Sequence, residues 1–158
     1  MNDSVLPAEL GAWVQPLLGR LHPRAVQRLA RTLAMELRRQ QSRRIAAQRN
    51  PDGTAYAPRG ASLRLRPTKG AQWRERERVK AMFTKLRTSA HLKARSSAQE
   101  AVVQIEGRSA RIARVHQFGL LDRPQAGGPR VHYPVRVLLG WSDGDLAVLA
   151  DRVRAHLE

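Results

Sequence analysis

The chain has 158 residues, enough for one ordinary domain and too few for two comfortable ones. Apolar residues make up 42% but aromatics only 4%, so any core is aliphatic and alanine-rich, with Trp13, Trp73 and Trp141 as scattered exceptions. Lys and Arg total 29 against 13 Asp and Glu, a formal charge of +16, and the lack of cysteine excludes disulfides and thiolate metal sites. Such a balance points to a polyanionic partner: nucleic acid, an acidic membrane or an acidic protein surface. Arginine far outnumbers lysine, which favours planar, bidentate contacts. The first residues lack a basic stretch followed by an apolar run, and nowhere do about 18 apolar residues run together. The expectation is a soluble protein that works inside a cell, or is assembled there into something larger.

Asp3 and Ser4 offer N-caps for a short helix within residues 1–20, with Pro7 in its first turn and Leu10, Trp13, Val14 and Leu17 as its apolar face. His22 and Pro23 open the longest periodic stretch, which runs to about Arg49. Val26, Leu29, Leu33, Leu37 and Ile45 form its stripe, and arginines occupy the other faces. Asn50-Pro51 stops it, because a residue before proline avoids the α region. Residues 50–74 then read as an extended basic loop. A dense turn signal, Asn50 to Thr54, leads into a stretch with Pro58, Gly60, Pro67 and Gly70 but no sustained period. Arg59, Arg64, Arg66, Lys69 and Arg74 lie in it with no acid among them, so it is expected to order against a partner.

Val79, Met82, Phe83 and Leu86 are helically spaced and predict a short helix over residues 75–87, with a strand over 81–86 as the competitor. Residues 91–95 and 101–105 read as two strands of a hairpin. A basic helix over 108–117 follows, in which Arg108, Arg111 and Arg114 share one face and Ile112 and Val115 are available for another. It stops at Gly119. Residues 120–132 form a Pro/Gly loop. Residues 133–139 are expected to be extended, with Val135, Val137 and Leu139 alternating against Arg136 and Leu138. Ser142-Asp143-Gly144-Asp145 resembles a capping box opening a last helix with the stripe Leu146, Leu149, Val153 and Leu157. The sum is an α+β fold in a single domain, 1–158: a small antiparallel sheet packed with helices, a long N-terminal helix and long basic loops.

Chemistry finds little purchase in this pattern. Glu36, Glu75 and Glu77 stand beside arginines, and Asp143 and Asp145 suit a helix start, so neither set reads as a catalytic pair. No two of the five histidines are spaced as metal ligands on a helix. His116 reads as a brace for the turn at Gly119. No glycine-rich loop follows a strand and opens a helix, so no nucleotide cradle and no cofactor are implied. Binding of nucleic acid has charge in its favour but neither a helix-turn-helix pattern nor interleaved aromatics, which leaves phosphate contacts alone.

Several fragments in order resemble the phage virion morphogenesis (tail completion) family. Arg44-Ile45 through Asn50-Pro51-Asp52-Gly53-Thr54 and on to Tyr56-Ala57-Pro58-Arg59 is similar to the family's "QRI..Q.NPDGTPY.PR". Met82 to Arg87, His91-Leu92-Lys93, Gly107 to Gly119 through His116-Gln117-Phe118, and Tyr133 to Gly140 followed by Ser142 and Asp145 complete the set, covering about residues 25–157. The chain departs at Gly60, where the family has a basic residue, and residues 61–72 do not align.

The resemblance implies a non-enzymatic structural protein of contractile-tailed phages or related tail-like particles. Such a protein caps the head-proximal end of tube and sheath and enables head–tail joining, and it is assembled in the bacterial host cytoplasm. Its implied partners are itself, as a ring expected to be hexameric, the tail tube and sheath proteins and the head–tail connector proteins, with room for transient contact with passing DNA and none with membrane. The candidate subunit and tail interface comprises Arg59, Arg64, Arg66, Arg108, Arg111, Arg114, His116, Tyr133 and Arg136. Ring and tube contacts are expected from Arg108, Arg111 and Arg114, with residues 54–74 clasping a neighbour. The competing reading is a basic nucleic-acid-binding accessory protein acting through phosphates.

Overall fold

A computed structural model of the chain describes residues 22–59 and 80–157, together with positions 12 and 16. The expected helix within residues 1–20 and most of the basic loop, including Arg64 and Arg66, lie outside the described residues.

Helix α1 spans Pro23–Ala46. The His22 ring caps it by accepting from the Arg24 amide (3.3 Å), and Pro23, which has no amide hydrogen to leave orphaned, occupies the first turn. The predicted stripe is the buried one: Leu29, Leu37 and Ile45 are core residues and Leu33 packs against the cluster around Leu37. The helix ends three residues earlier than its periodicity predicts. Gln48 turns left-handed (φ 58°), and its side-chain amide donates to the carbonyls of Ile45 (2.7 Å) and Met82 (2.9 Å) while accepting from the Met82 amide (2.7 Å). That exchange satisfies a helix-end carbonyl and ties the helix to a segment 34 residues away.

Residues 80–91 are a succession of turns, and the helix expected over 75–87 does not form in its described part. Phe83 adopts a positive φ (62°), which an α-helix cannot continue through. Met82 and Leu86 are nevertheless buried, so the spacing that suggested a helix reflects two contacts made from an irregular backbone. The hairpin forms from β1 (Leu92–Ser96) and β2 (Ala101–Ile105), antiparallel with Leu92 opposite Ile105 and Ser96 opposite Ala101. Ser97 closes its turn by accepting from the amides of Gln99 and Glu100.

Helix α2 covers Arg108–Phe118 and stops at Gly119 in the left-handed conformation (φ 62°). The loop after it closes on itself, because β3 (Leu121–Asp122) pairs antiparallel with β4 (Val131–His132). Residues 133–140 then run without a ladder. Helix α3 spans Asp143–Leu157 and opens on the predicted capping box: the Ser142 hydroxyl accepts from the Asp145 amide (3.1 Å) and the Asp145 carboxylate from the Ser142 amide (3.0 Å). The architecture is α+β; the described residues form two two-stranded antiparallel sheets and a long helix packed along β1, β2 and α3.

Among the described residues the core has two parts. One gathers Ile45, Tyr56, Met82, Leu86, Ala113 and Leu138, the other Leu37, Leu92, Val103 and Leu149; Ile105 packs against both. Between α1 and the start of α3 lies a buried ion pair, Arg44 to Asp145 at 2.7 Å. Gln41 joins it, bonding the Arg44 guanidinium and donating to the Gly140 carbonyl (3.0 Å). Removing one member leaves a buried charge uncompensated. Arg44→Met is expected to lower the unfolding free energy by about 3–5 kcal/mol, read from the urea midpoint against the parent chain.

Candidate functional site

The fragments that carry the family resemblance converge on residues 136–140. The Val137 amide donates to the Asn50 side chain (2.9 Å), the amides of Leu138 and Leu139 to Gln117 (2.8 and 3.0 Å), and the Gly140 amide to Gln41 (3.3 Å). Gln117 returns a bond to the Leu139 carbonyl (2.7 Å) and the Tyr56 hydroxyl one to Val137 (3.3 Å). Side chains thus take the part of a neighbouring strand. The alternation expected here exists with its faces exchanged: Arg136 and Leu138 are 2% and 0% exposed, whereas Val135 is 54% exposed.

Arg136 is buried because its guanidinium fork finds acceptors inside. Nε donates to the Ala57 carbonyl (2.7 Å), one terminal nitrogen to the Pro58 carbonyl (2.8 Å) and the other to His116 Nδ1 (2.9 Å). Burial pushes the guanidinium below its ordinary range, with the nearby Arg59 adding to the effect. His116 is consequently held neutral, its pKa pushed down to about 4 by burial and by the Arg136 charge. Its ring also stands edge-on between Phe83 and Tyr133, centroids 4.8 and 4.9 Å away, and Tyr56 meets Phe83 in the same manner. Tyr133 itself is half-buried, its hydroxyl pushed up by burial and by Asp122. His116 therefore braces the segment at Arg136, a role adjoining the expected one at Gly119.

The candidate interface residues separate into two groups. His116, Tyr133 and Arg136 stand together at this internal junction, and Arg59 lies beside it, donating to the Ala81 carbonyl (3.2 Å). Arg108, Arg111 and Arg114 are all exposed on α2. Arg111 is paired with Asp122 across the turn, whereas Arg108 and Arg114 have no acidic partner among the described residues. The helix packs into the core through Ala113, and Val115 is also buried; Ile112, expected on the packed face, is exposed.

Several residues that matter escaped the pattern reading. Asn50 and Gln117 read as a helix stop and a helix end, and only the fold shows their amides spent on a segment more than twenty residues away. Gln41 had a legible signal: it interrupts the four-residue row Leu29, Leu33, Leu37, Ile45 with a polar side chain. Among the described residues no cluster of three or more His, Asp or Glu could hold a metal ion, and no helix is long and apolar enough to cross a membrane.

The sequence model of the phage virion morphogenesis family matches residues 7–158. The chain belongs to this family. It is similar to tail completion protein S of Escherichia phage P2, 40% identical over 144 residues that cover 90% of this chain and 91% of that protein. No solved structure matches it significantly. The junction at residues 136–140 is thus the structural content of fragments by which this virion morphogenesis protein resembles its family.

The junction makes stability depend on pH in a defined window. His116 stays neutral when folded down to about 4 but takes up a proton near its ordinary value of 6.5 once unfolded. Its contribution is complete above pH 6.5 and is lost as the pH falls toward about 4. His116→Gln, which cannot titrate, is expected to flatten the dependence of the urea midpoint on pH across this window.

Proposed function

We propose that the chain is a non-enzymatic structural subunit that completes a contractile phage tail, capping the head-proximal end of tube and sheath and making the tail competent to join a head. The observation that supports this reading best is the 40% identity with a tail completion protein over an alignment that covers 90% of the chain. The surface agrees with it. Arg108 and Arg114 stand exposed on α2 without acidic partners among the described residues, as a face awaiting another chain would. In this reading copies form a ring, expected to be hexameric. The basic segment with Arg59, Arg64 and Arg66 meets a neighbouring copy, while α2 faces the tube, sheath or connector proteins. Assembly takes place in the bacterial cytoplasm, and the product resides in the virion tail.

His116, Tyr133 and Arg136 contribute by holding the junction behind α2 in shape. Because Arg111 is engaged by Asp122, the informative charge reversal is Arg108→Glu with Arg114→Glu. The double variant is expected to unfold within a few degrees of the parent, since exposed charges contribute little to stability. Supplied to particles that lack the native chain, it is expected to leave tails of irregular length without heads, counted by negative-stain microscopy. Normal-length tails joined to heads would refute the role assigned to this face. A gel-shift titration separates the nucleic-acid reading, which requires tight DNA binding with a steep loss on adding salt.

A further inference from the structure

Large apolar side chains stand exposed along the same outer surface as the arginines. Ile112 is 53% exposed, Phe118 54%, Leu121 54% and Val135 54%, with Leu120 beside them. Phe118 follows Arg114 by four residues and Arg111 by seven, which places it on their stripe, and Ile112 follows Arg108 by four. The left-handed turn at Gly119 brings Leu120 and Leu121 round the helix end, and the Tyr133 amide donates to the Leu120 carbonyl (3.1 Å). Val135 closes over the turn so tightly that a Cβ on Gly119 would come within 2.7 Å of its Cγ2. Phe118, the turn and Val135 therefore form one apolar surface bordered by arginines. A soluble protein seldom leaves such a cluster uncovered unless something docks there.

Charge decides what docks. A second copy of this chain brings a further +16, which repels an arginine-rimmed face. Glu36, Glu106, Asp122, Asp145 and Asp151 are already paired with arginines of their own chain. Nucleic acid would satisfy the arginines but would set phosphates against aliphatic side chains, with a single aromatic ring available for stacking. An interfacial membrane helix separates its basic and apolar residues onto opposite faces, whereas here Phe118 lies on the stripe of the exposed Arg111 and Arg114, and Ala113 packs in the core. We propose that the outer face of α2, with the 118–121 turn and Val135, is the docking surface for a different protein chain that presents carboxylates around an apolar centre. The apolar cluster supplies the buried anchor and Arg108 and Arg114 the charged rim.

The inference rests on the tail-completion reading for the particle in which that partner is sought. The test uses the full chain and tails purified from particles made without it, mixed and co-sedimented over a concentration series. Phe118→Ser with Leu121→Ser is expected to weaken binding to these tails by about tenfold or more, with thermal unfolding and the sedimentation coefficient of the free protein unchanged. Ile112→Glu, on an exposed helical position, gives a second arm that does not touch the turn and is expected to act in the same direction. Undiminished binding by both variants overturns the proposed face while leaving the tail role intact. Loss of self-association in either variant overturns it in favour of a second copy, and loss of DNA retention alone overturns it in favour of nucleic acid. Failure of the native chain itself to bind tails overturns the tail reading and this partner with it.

Discussion

The fold depends on how the backbone of residues 136–140 is satisfied. This segment carries Leu138 into the centre of the core, and buried peptide groups without partners would cost far more than that contact returns. Among the described residues no strand lies alongside; the Arg136 amide donates to the His116 carbonyl (2.8 Å), and three side-chain amides pair the rest. Asn50 comes from just beyond α1, Gln117 from the last turn of α2 and Gln41 from within α1. Each anchors its own element to the segment, so one set of hydrogen bonds positions the helices relative to one another. Gly140 completes the fit by lying where a Cβ would come within 2.9 Å of Pro51. The Arg44–Asp145 pair continues the same arrangement to the start of α3.

Local periodicity was legible where an element is stabilised by its own neighbours in sequence. The α1 stripe, the hairpin, the glycine stop of α2 and the Ser142–Asp145 box are all of that kind. The failures occur where distant partners decide. Residues 133–139 alternate as a strand does, but whether Val135 or Arg136 points inward depends on the carbonyls of Ala57 and Pro58, almost eighty residues earlier. Residues 80–87 carry a helical spacing, yet the backbone is bent at Phe83 and held at Met82 by Gln48. The candidate site was half legible. The exposed arginines of α2 followed from spacing, but the apolar surface beside them did not, because Phe118, Leu121 and Val135 become neighbours only through the turn at Gly119.

A single net charge conceals arginines in quite different states. Arg136 and Arg44 are structural, their forks used on internal acceptors that lysine could not reach together. Arg95 and Arg154 are paired at the surface, where the attraction is largely screened. Arg108 and Arg114 are the open ones on α2. A strongly basic composition here thus reflects fold construction as well as partner binding. For the same reason the family fragments speak first about architecture: Asn50, His116, Gln117 and Arg136 face inward to the junction rather than outward to a partner.

The bond from Arg59 to the Ala81 carbonyl has a consequence for how this chain can vary. It sets the two ends of the intervening stretch side by side, Arg136 fixing one through Pro58 and Gln48 the other through Met82. The distance to be bridged is therefore imposed by the body of the protein and does not grow when residues are added between. The spacing of these two anchors is thus a property of the helices and the junction, which hold the entry and exit of the chain at one edge of the core.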